Sequence, residues 1–215
     1  MTQRRNHGLI DFILHIHPPR INSKVTVFWP TMCMGGLSFF LFLLLLLTGI
    51  LLMFFYGPGD PKTAFNSLTL IQDIVPYGSF IRSIHKWAGQ LMVFTIVVHL
   101  ARVVLTGSYR PPREFNWIIG VILLVLTVFL DFTGYLLIGD ATARYATKVA
   151  FSLTGQVPLA GSLMQIILFG GNPTTDLAGL RIYLWHCVIL PLVLTIFMGW
   201  HFYRVRKDGG VKWPL

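Results

Sequence analysis

Four histidines lie in apolar surroundings where an imidazole needs a reason to be. His85 and His99 are 14 residues apart in SFIRSIHKWAGQLMVFTIVVHLARVV, residues 79–104, and His186 and His201 are 15 apart in the apolar stretch 182–202. At about 100° and 1.5 Å per helical residue, a 14-residue interval returns to within about 40° of the same face and rises about 21 Å. One helix face therefore offers two imidazoles, one toward each side of a membrane. If the two stretches lie side by side, the four rings meet as two pairs at two depths.

Paired imidazoles from facing helices are the ligand set of a low-spin haem held inside a bundle. The plainer alternative is four packed or hydrogen-bonded core histidines. Glycine spacing bears on the choice. Gly35 and Gly49 are 14 apart in the first apolar stretch, and Gly120 and Gly134 are 14 apart in the third. A porphyrin standing between helices needs neighbours without a Cβ in the way, although small residues also serve ordinary helix packing in membranes. Basic residues flank each histidine: Arg82 and Lys86 around His85, Arg102 after His99, Arg181 before His186, Arg204 after His201. Helix-end snorkelling and pairing with haem propionates both account for such cations, and Arg113 and Arg206 join Arg82, Arg102 and Arg204 as propionate candidates.

The elements that must position these side chains are long apolar helices. Hydrophobic residues make up 54% of the 215-residue chain and charged ones 12%, which excludes an ordinary soluble domain. Four stretches are long enough to span a bilayer: about 27–56, 79–104, 115–138 and 182–203. One domain is expected over 1–215, with an interfacial segment 1–26, a bundle 27–203 and a basic tail 204–215. No cleavable signal is evident. GLIDFILHIH, residues 8–17, reads as a helix lying on the membrane surface, with His15 and His17 as surface residues, and Trp29 marks the entry to the first span. The connection after it, Gly57-Pro58-Gly59-Asp60-Pro61, reads as a plain turn cluster. The long connection 139–180 contains two half-apolar pieces, ARYATKVAFSL and PLAGSLMQIILFG, expected as short helices over one mouth of the bundle.

The net charge of +9 needs no nucleic acid to explain it. Arg4, Arg5, Arg20, Lys24, Arg102, Arg110, Arg113, Arg204, Arg206, Lys207 and Lys212 fall on one side of the predicted bundle. Lys62, Arg82, Lys86, Arg144, Lys148 and Arg181 fall on the other. That asymmetry places both termini on the cytoplasmic side, with anionic lipid and haem propionates as adequate partners. Cys33 and Cys187 fall at opposite faces and cannot pair.

IRSIHKW, HLARV, TGSYRPPREFNWIIGV and FTGYLL, together with the His186/His201 pair, closely resemble the cytochrome b6 family, the short, split form of cytochrome b. The resemblance runs from about residue 30 to the C-terminus, and RKDGGVKWPL resembles the family's terminus, so the chain is expected to be complete. It implies an all-α membrane protein: a four-helix transmembrane bundle enclosing two stacked b haems, with an N-terminal interfacial helix and short surface helices between the third and fourth spans. It implies His85 and His186 as ligands of an outer haem and His99 and His201 as ligands of an inner one. The implied function is the di-haem subunit of a quinol:cytochrome c-type oxidoreductase. Quinol would be oxidised at an outer pocket, one electron passing to a Rieske iron–sulfur protein and the other crossing the membrane to reduce quinone, coupled to proton translocation. A separate subunit with the remaining cytochrome b helices, a cytochrome c-type subunit and a homodimeric complex are implied as partners. The candidate outer-pocket residues are Asp131, Asp140, Tyr145 and Lys148.

Cys33, in MCMGG, occupies the position where the family carries a single cysteine in YCLGG, which implies a haem c held by one thioether; a packed cysteine is the alternative. Two departures stand out. The family's GYxLPWD reads GYLLIGD, with Ile138 and Gly139 in place of Pro and Trp. Asp131, in LDFTGY, stands where the family has glycine, and a carboxylate there must face protein or water. It would serve either as a proton relay for quinol or as a structural acid. The altered loop points to a bacterial cytoplasmic membrane rather than a thylakoid. It also keeps a second function open, a haem b membrane anchor passing electrons between a dehydrogenase or hydrogenase and the quinone pool. A third, non-redox transporter or assembly factor, would be colourless.

Overall fold

The structure is a computed structural model that describes residues 33–211. Eight α-helices and no strand occur among the described residues: α1 (Met34–Met53), α2 (Pro61–Asp73), α3 (Gly78–Leu105), α4 (Glu114–Leu136), α5 (Ala141–Gly155), α6 (Gly161–Phe169), α7 (Asp176–Leu184) and α8 (Leu190–Asp208). A π-helical turn, Trp185–Ile189, joins α7 to α8 without a break. Among the described residues, four spans are long and apolar enough to cross a membrane: α1, α3, α4 and the continuous run Asp176–Asp208. The predicted surface helix 8–17 with His15 and His17, the Trp29 entry, residues 27–32 of the first span, and Arg4, Arg5, Arg20, Lys24 and Lys212 lie outside the described residues.

Hydrophobicity all round is what makes α1, α3 and α4 membrane helices rather than amphipathic ones. Phe40, Leu47, Phe94 and Ile196 are each about 60% exposed on outward faces, where lipid tails cover them. The three spans also start without a side-chain cap. Side-chain caps stand instead at the starts of α2, α5 and α7. Asp60 accepts from the Thr63 amide at 2.7 Å, Asp140 from the Ala143 amide at 2.7 Å, and Thr175 from the Ala178 amide at 3.3 Å. The amide bonds to Asp60 hold its carboxyl below the usual carboxylate range.

Two element boundaries differ from the sequence reading. The segment after α1 is not only a turn: Asp60 caps α2, and Pro61 takes the first helical position, where its missing N–H costs nothing. The last span begins at Asp176, not near 182, because Thr175 supplies the cap. The two short helices expected in 139–180 are α5 and α6.

α1 packs along α3, α4 along α8, and α3 along α4. Leu41 and Phe42 of α1, Ala88 and Met92 of α3 and Leu194 of α8 form the buried centre. Beside it, the buried Ser38 and Thr95 hydroxyls bond across α1 and α3 at 2.9 Å. A second cluster, Leu136, Phe169, Ala178 and Ile182, fastens α6 and α7 to the end of α4. At that end α7 crosses the start of α2 so closely that a Cβ on Gly179 would collide with the Gly59 carbonyl. The Tyr56 hydroxyl donates to the Leu137 carbonyl at 2.9 Å, and its ring stacks on Tyr183 with centroids 5.7 Å apart. Burial there pushes the Tyr56 hydroxyl well above the usual phenol range.

Candidate functional site

The four histidines lie inside the bundle at two levels, as their spacing predicts. At the first, the His85 ring from α3 and the His186 ring from the π turn face each other with centroids 6.2 Å apart and planes at 75°. An imidazole bound through nitrogen at about 2.0 Å has its ring centre about 3.1 Å from the metal, so two such rings across one atom stand about 6.2 Å apart. The observed separation is that of a ligand pair, and it also falls within the range of an edge-to-face ring contact.

Hydrogen bonds on the far side of each ring fix which nitrogen is left to bind. His186 Nδ1 lies 3.0 Å from the Leu130 carbonyl, which can only accept. It is also 3.2 Å from the Thr133 hydroxyl. That hydroxyl already donates to Phe129, so it too accepts. His85 Nδ1 lies 2.9 Å from the Thr48 hydroxyl, which donates to the Leu44 carbonyl at 2.7 Å. In both rings the proton therefore belongs on Nδ1, leaving the Nε2 lone pair free. A cavity of about 350 Å³ surrounds the pair, and Arg82, Lys86, Gln90 and Asp131 contribute its polar lining.

The second level brings His99 and His201 near each other. The Asn116 carbonyl is the neighbour of His201, as Leu130 is of His186, and those two carbonyls are themselves 14 residues apart. His201 Nδ1 is buried and stops short of hydrogen-bond geometry.

Each of the four glycines faces one of the four rings. A Cβ added at Gly134 would lie 2.7 Å from His186 Cε1, at Gly49 3.2 Å from His85 Cε1, at Gly35 3.4 Å from His99 Cε1, and at Gly120 3.6 Å from His201 Cε1. The glycines thus clear space at the imidazoles themselves.

Beyond the second level lies an unbalanced group of cations. Arg102, Arg113 and Arg206 each bury an Nη1, and Arg204 its Nε, with no partner among the described residues. Arg204 pairs with Asp208 at 2.7 Å, and Arg113 Nε donates to the Gly209 carbonyl at 3.1 Å. Buried guanidinium donors without acceptors are costly, and this group is suited to an anion of more than one charge. Arg82, at the first level, donates to Gln72 at 2.8 Å. Arg181 is turned away to the carbonyls of Ile166 and Ile167 at the end of α6.

The remaining candidates do not converge. Asp131 faces α3, its Oδ1 3.6 Å from where a Cβ on Gly89 would stand, and lines the first-level cavity. Asp140 is engaged as the cap of α5. Tyr145 is 71% exposed, with the Lys148 amine 6.0 Å above its ring on the outer face of α5. Cys33 precedes α1 with a left-handed φ of 44°, two residues before the glycine that faces His99. Gly139 has a φ of 69°, and a Cβ on it would meet the Pro61 carbonyl at 2.5 Å. A larger residue there would displace α2, so the departure at this position is required by the local packing.

Thr48 and Thr133 were not among the candidates read from sequence. A signal existed: each directly precedes a ring-facing glycine, in LTGI and FTGY. The doublet also occurs at Thr106-Gly107 and Thr154-Gly155, away from any histidine, so it identifies nothing alone.

Residues 90–214 match the family model described as cytochrome b(N-terminal)/b6/petB. Cytochrome b6 of Heliomicrobium gestii is 40% identical over 177 residues, 82% of this chain and 83% of that protein. Cytochrome b6 of Prochlorococcus marinus is 35% identical over 198 residues, 92% of this chain and 87% of that protein. A chain of a hyperthermophilic respiratory complex III shares the fold with a TM-score of 0.77 at 22% identity, over 95% of this chain and 54% of that one. The present chain thus spans about half the length of that chain. It belongs to the cytochrome b6 family of N-terminal cytochrome b domains, integral multi-pass membrane proteins of electron transport whose membership implies haem b.

Proposed function

We propose that this chain is the haem-carrying subunit of a quinol:cytochrome c-type oxidoreductase, with His85 and His186 holding one b haem and His99 and His201 the other. The observation that carries this reading is the pairing itself: rings 6.2 Å apart, each with Nδ1 engaged behind it. Arg102, Arg113, Arg204 and Arg206 would take the propionates at the second level, and Arg82 those at the first. Bound there, the two haems would supply one-electron redox centres at two depths of the membrane. The first level is assigned to the outer side and the second, with both termini, to the cytoplasmic side of a bacterial membrane.

The partners implied by this reading are a subunit bearing the remaining cytochrome b helices, a Rieske protein, a cytochrome c-type subunit and a second copy of the complex. A haem b anchor for a dehydrogenase or hydrogenase is the second reading, favoured by the glycine at 139 and the close packing of α2 beneath it. Purification of the complex from its native membrane separates the two. A Rieske subunit in the preparation supports the first, and a dehydrogenase or hydrogenase in its place supports the second.

Cys33 is assigned as the attachment point of a third, covalent haem beside the second level. Acid–acetone extraction is expected to leave one haem on the wild-type chain and none on Cys33→Ala, with the extractable b haems unchanged. Retention of haem by Cys33→Ala would withdraw the assignment.

Asp131 is assigned as the proton acceptor of the outer quinol pocket, since it is the carboxylate that lines the first-level cavity. Asp140, Tyr145 and Lys148 are the remaining members proposed for that pocket, although none of them lines the first-level cavity. Asp131→Asn is expected to lower quinol oxidation severalfold and flatten its pH dependence. Unchanged turnover across pH would make Asp131 a structural acid.

A further inference from the structure

Three of the four bundle elements keep a 14-residue register: Gly35/Gly49, His85/His99 and Gly120/Gly134. Fourteen residues are two heptads, the interval that holds one face toward its neighbours in left-handed bundles. The last span alone departs from it, with 15 residues between His186 and His201. In an unbroken α-helix, 15 residues would turn His201 about 60° past the face of His186, whereas 14 leave it about 40° short. The two intervals differ by about 100°, enough to turn one ligand out of the site.

The structure contains the compensating feature. Trp185–Ile189 is a π turn, in which the Leu190 amide reaches back five residues to the Trp185 carbonyl. A π turn absorbs one extra residue without breaking the helix, and such turns recur at functional sites. His186 lies inside it, with Nδ1 on Leu130 and its ring against Gly134. His201 takes the equivalent place against Gly120, beside Asn116. Pro191 offers a competing cause, since it has no N–H to give the Cys187 carbonyl and so disfavours a regular α turn there.

We propose that the π turn at Trp185–Ile189 is the positioning device of the last span, absorbing the fifteenth residue so that His186 and His201 meet His85 and His99 in register. This rests on the reading that the four histidines hold two b haems. Val188, inside the turn, is 46% exposed and can be removed without taking a core side chain. Its deletion makes the last interval 14, turns the π turn into an α turn, and is expected to leave two extractable b haems per chain with unchanged low-spin spectra. Deletion of Val97, 49% exposed on α3 where no π turn exists, is expected to cost one haem. Pro191→Ala separates the two causes. Both haems are expected to persist, because the extra residue still has to be absorbed.

Extractable haem per immunodetected chain is the readout, with wild type alongside. A wild type short of two such haems overturns the haem reading itself. A wild type with two, but a Val188 deletion that loses one or fails to accumulate, overturns the π-turn proposal alone. Loss of a haem in Pro191→Ala does the same, since it would make the turn a consequence of the proline.

Discussion

Replacing His186 with leucine is expected to lower the extractable b haem from two per chain to one. The ring has a single role in the structure: Nδ1 is engaged by the Leu130 carbonyl and the Thr133 hydroxyl, and the free edge faces His85. Leucine approximates the volume and offers no lone pair. His85→Leu is expected to remove the same haem, and the double replacement of His85 and His186 no more than either single one, since both act on one centre. His201→Leu should remove the other haem, and His186→Leu with His201→Leu should leave none. Haem stoichiometry by pyridine haemochrome checks each. Four independent core histidines would behave otherwise, with additive losses of stability and no stepwise loss of colour.

Gly134→Ala is expected to have an effect nearly as large, with most of the outer haem lost. A Cβ there would lie 2.7 Å from His186 Cε1 and 3.3 Å from both ring nitrogens. The ring cannot back away, because the hydrogen bonds to Leu130 and Thr133 hold it. Gly120→Ala makes the instructive contrast. Its Cβ would stand 3.6 Å from His201, an ordinary contact, and both haems should be retained. Gly49→Ala and Gly35→Ala, at 3.2 and 3.4 Å, should fall between. Haem content across the four variants, normalised to protein, should follow the order of those distances. Equal effects at all four positions would assign the glycines to general helix packing.

The spacing of four histidines and four glycines was enough to place eight residues at two levels of one bundle, because a helix converts interval into direction with little freedom. Length and apolarity likewise located the spans, since a membrane tolerates few alternatives. Three features were less accessible. The Thr48 and Thr133 hydroxyls act by bonding across to a histidine on another helix, which the TG doublet does not encode. The α2 helix was hidden behind a turn-like composition, although Asp60 followed by Pro61 is also how a helix begins. The π turn was the hardest to see. A 15-residue interval is visible in the sequence, but whether one residue is absorbed locally or rotates the whole helix is decided by what the far end must meet.

The number and ligation of the haems test the bis-histidine assignment most directly. Purified from its membrane, the chain should yield two acid–acetone-extractable b haems, with a low-spin reduced spectrum and the electron paramagnetic resonance of bis-histidine ferric iron at both centres. A preparation with intact protein and no extractable haem, or one whose haems are ligated by anything other than paired histidines, would contradict it.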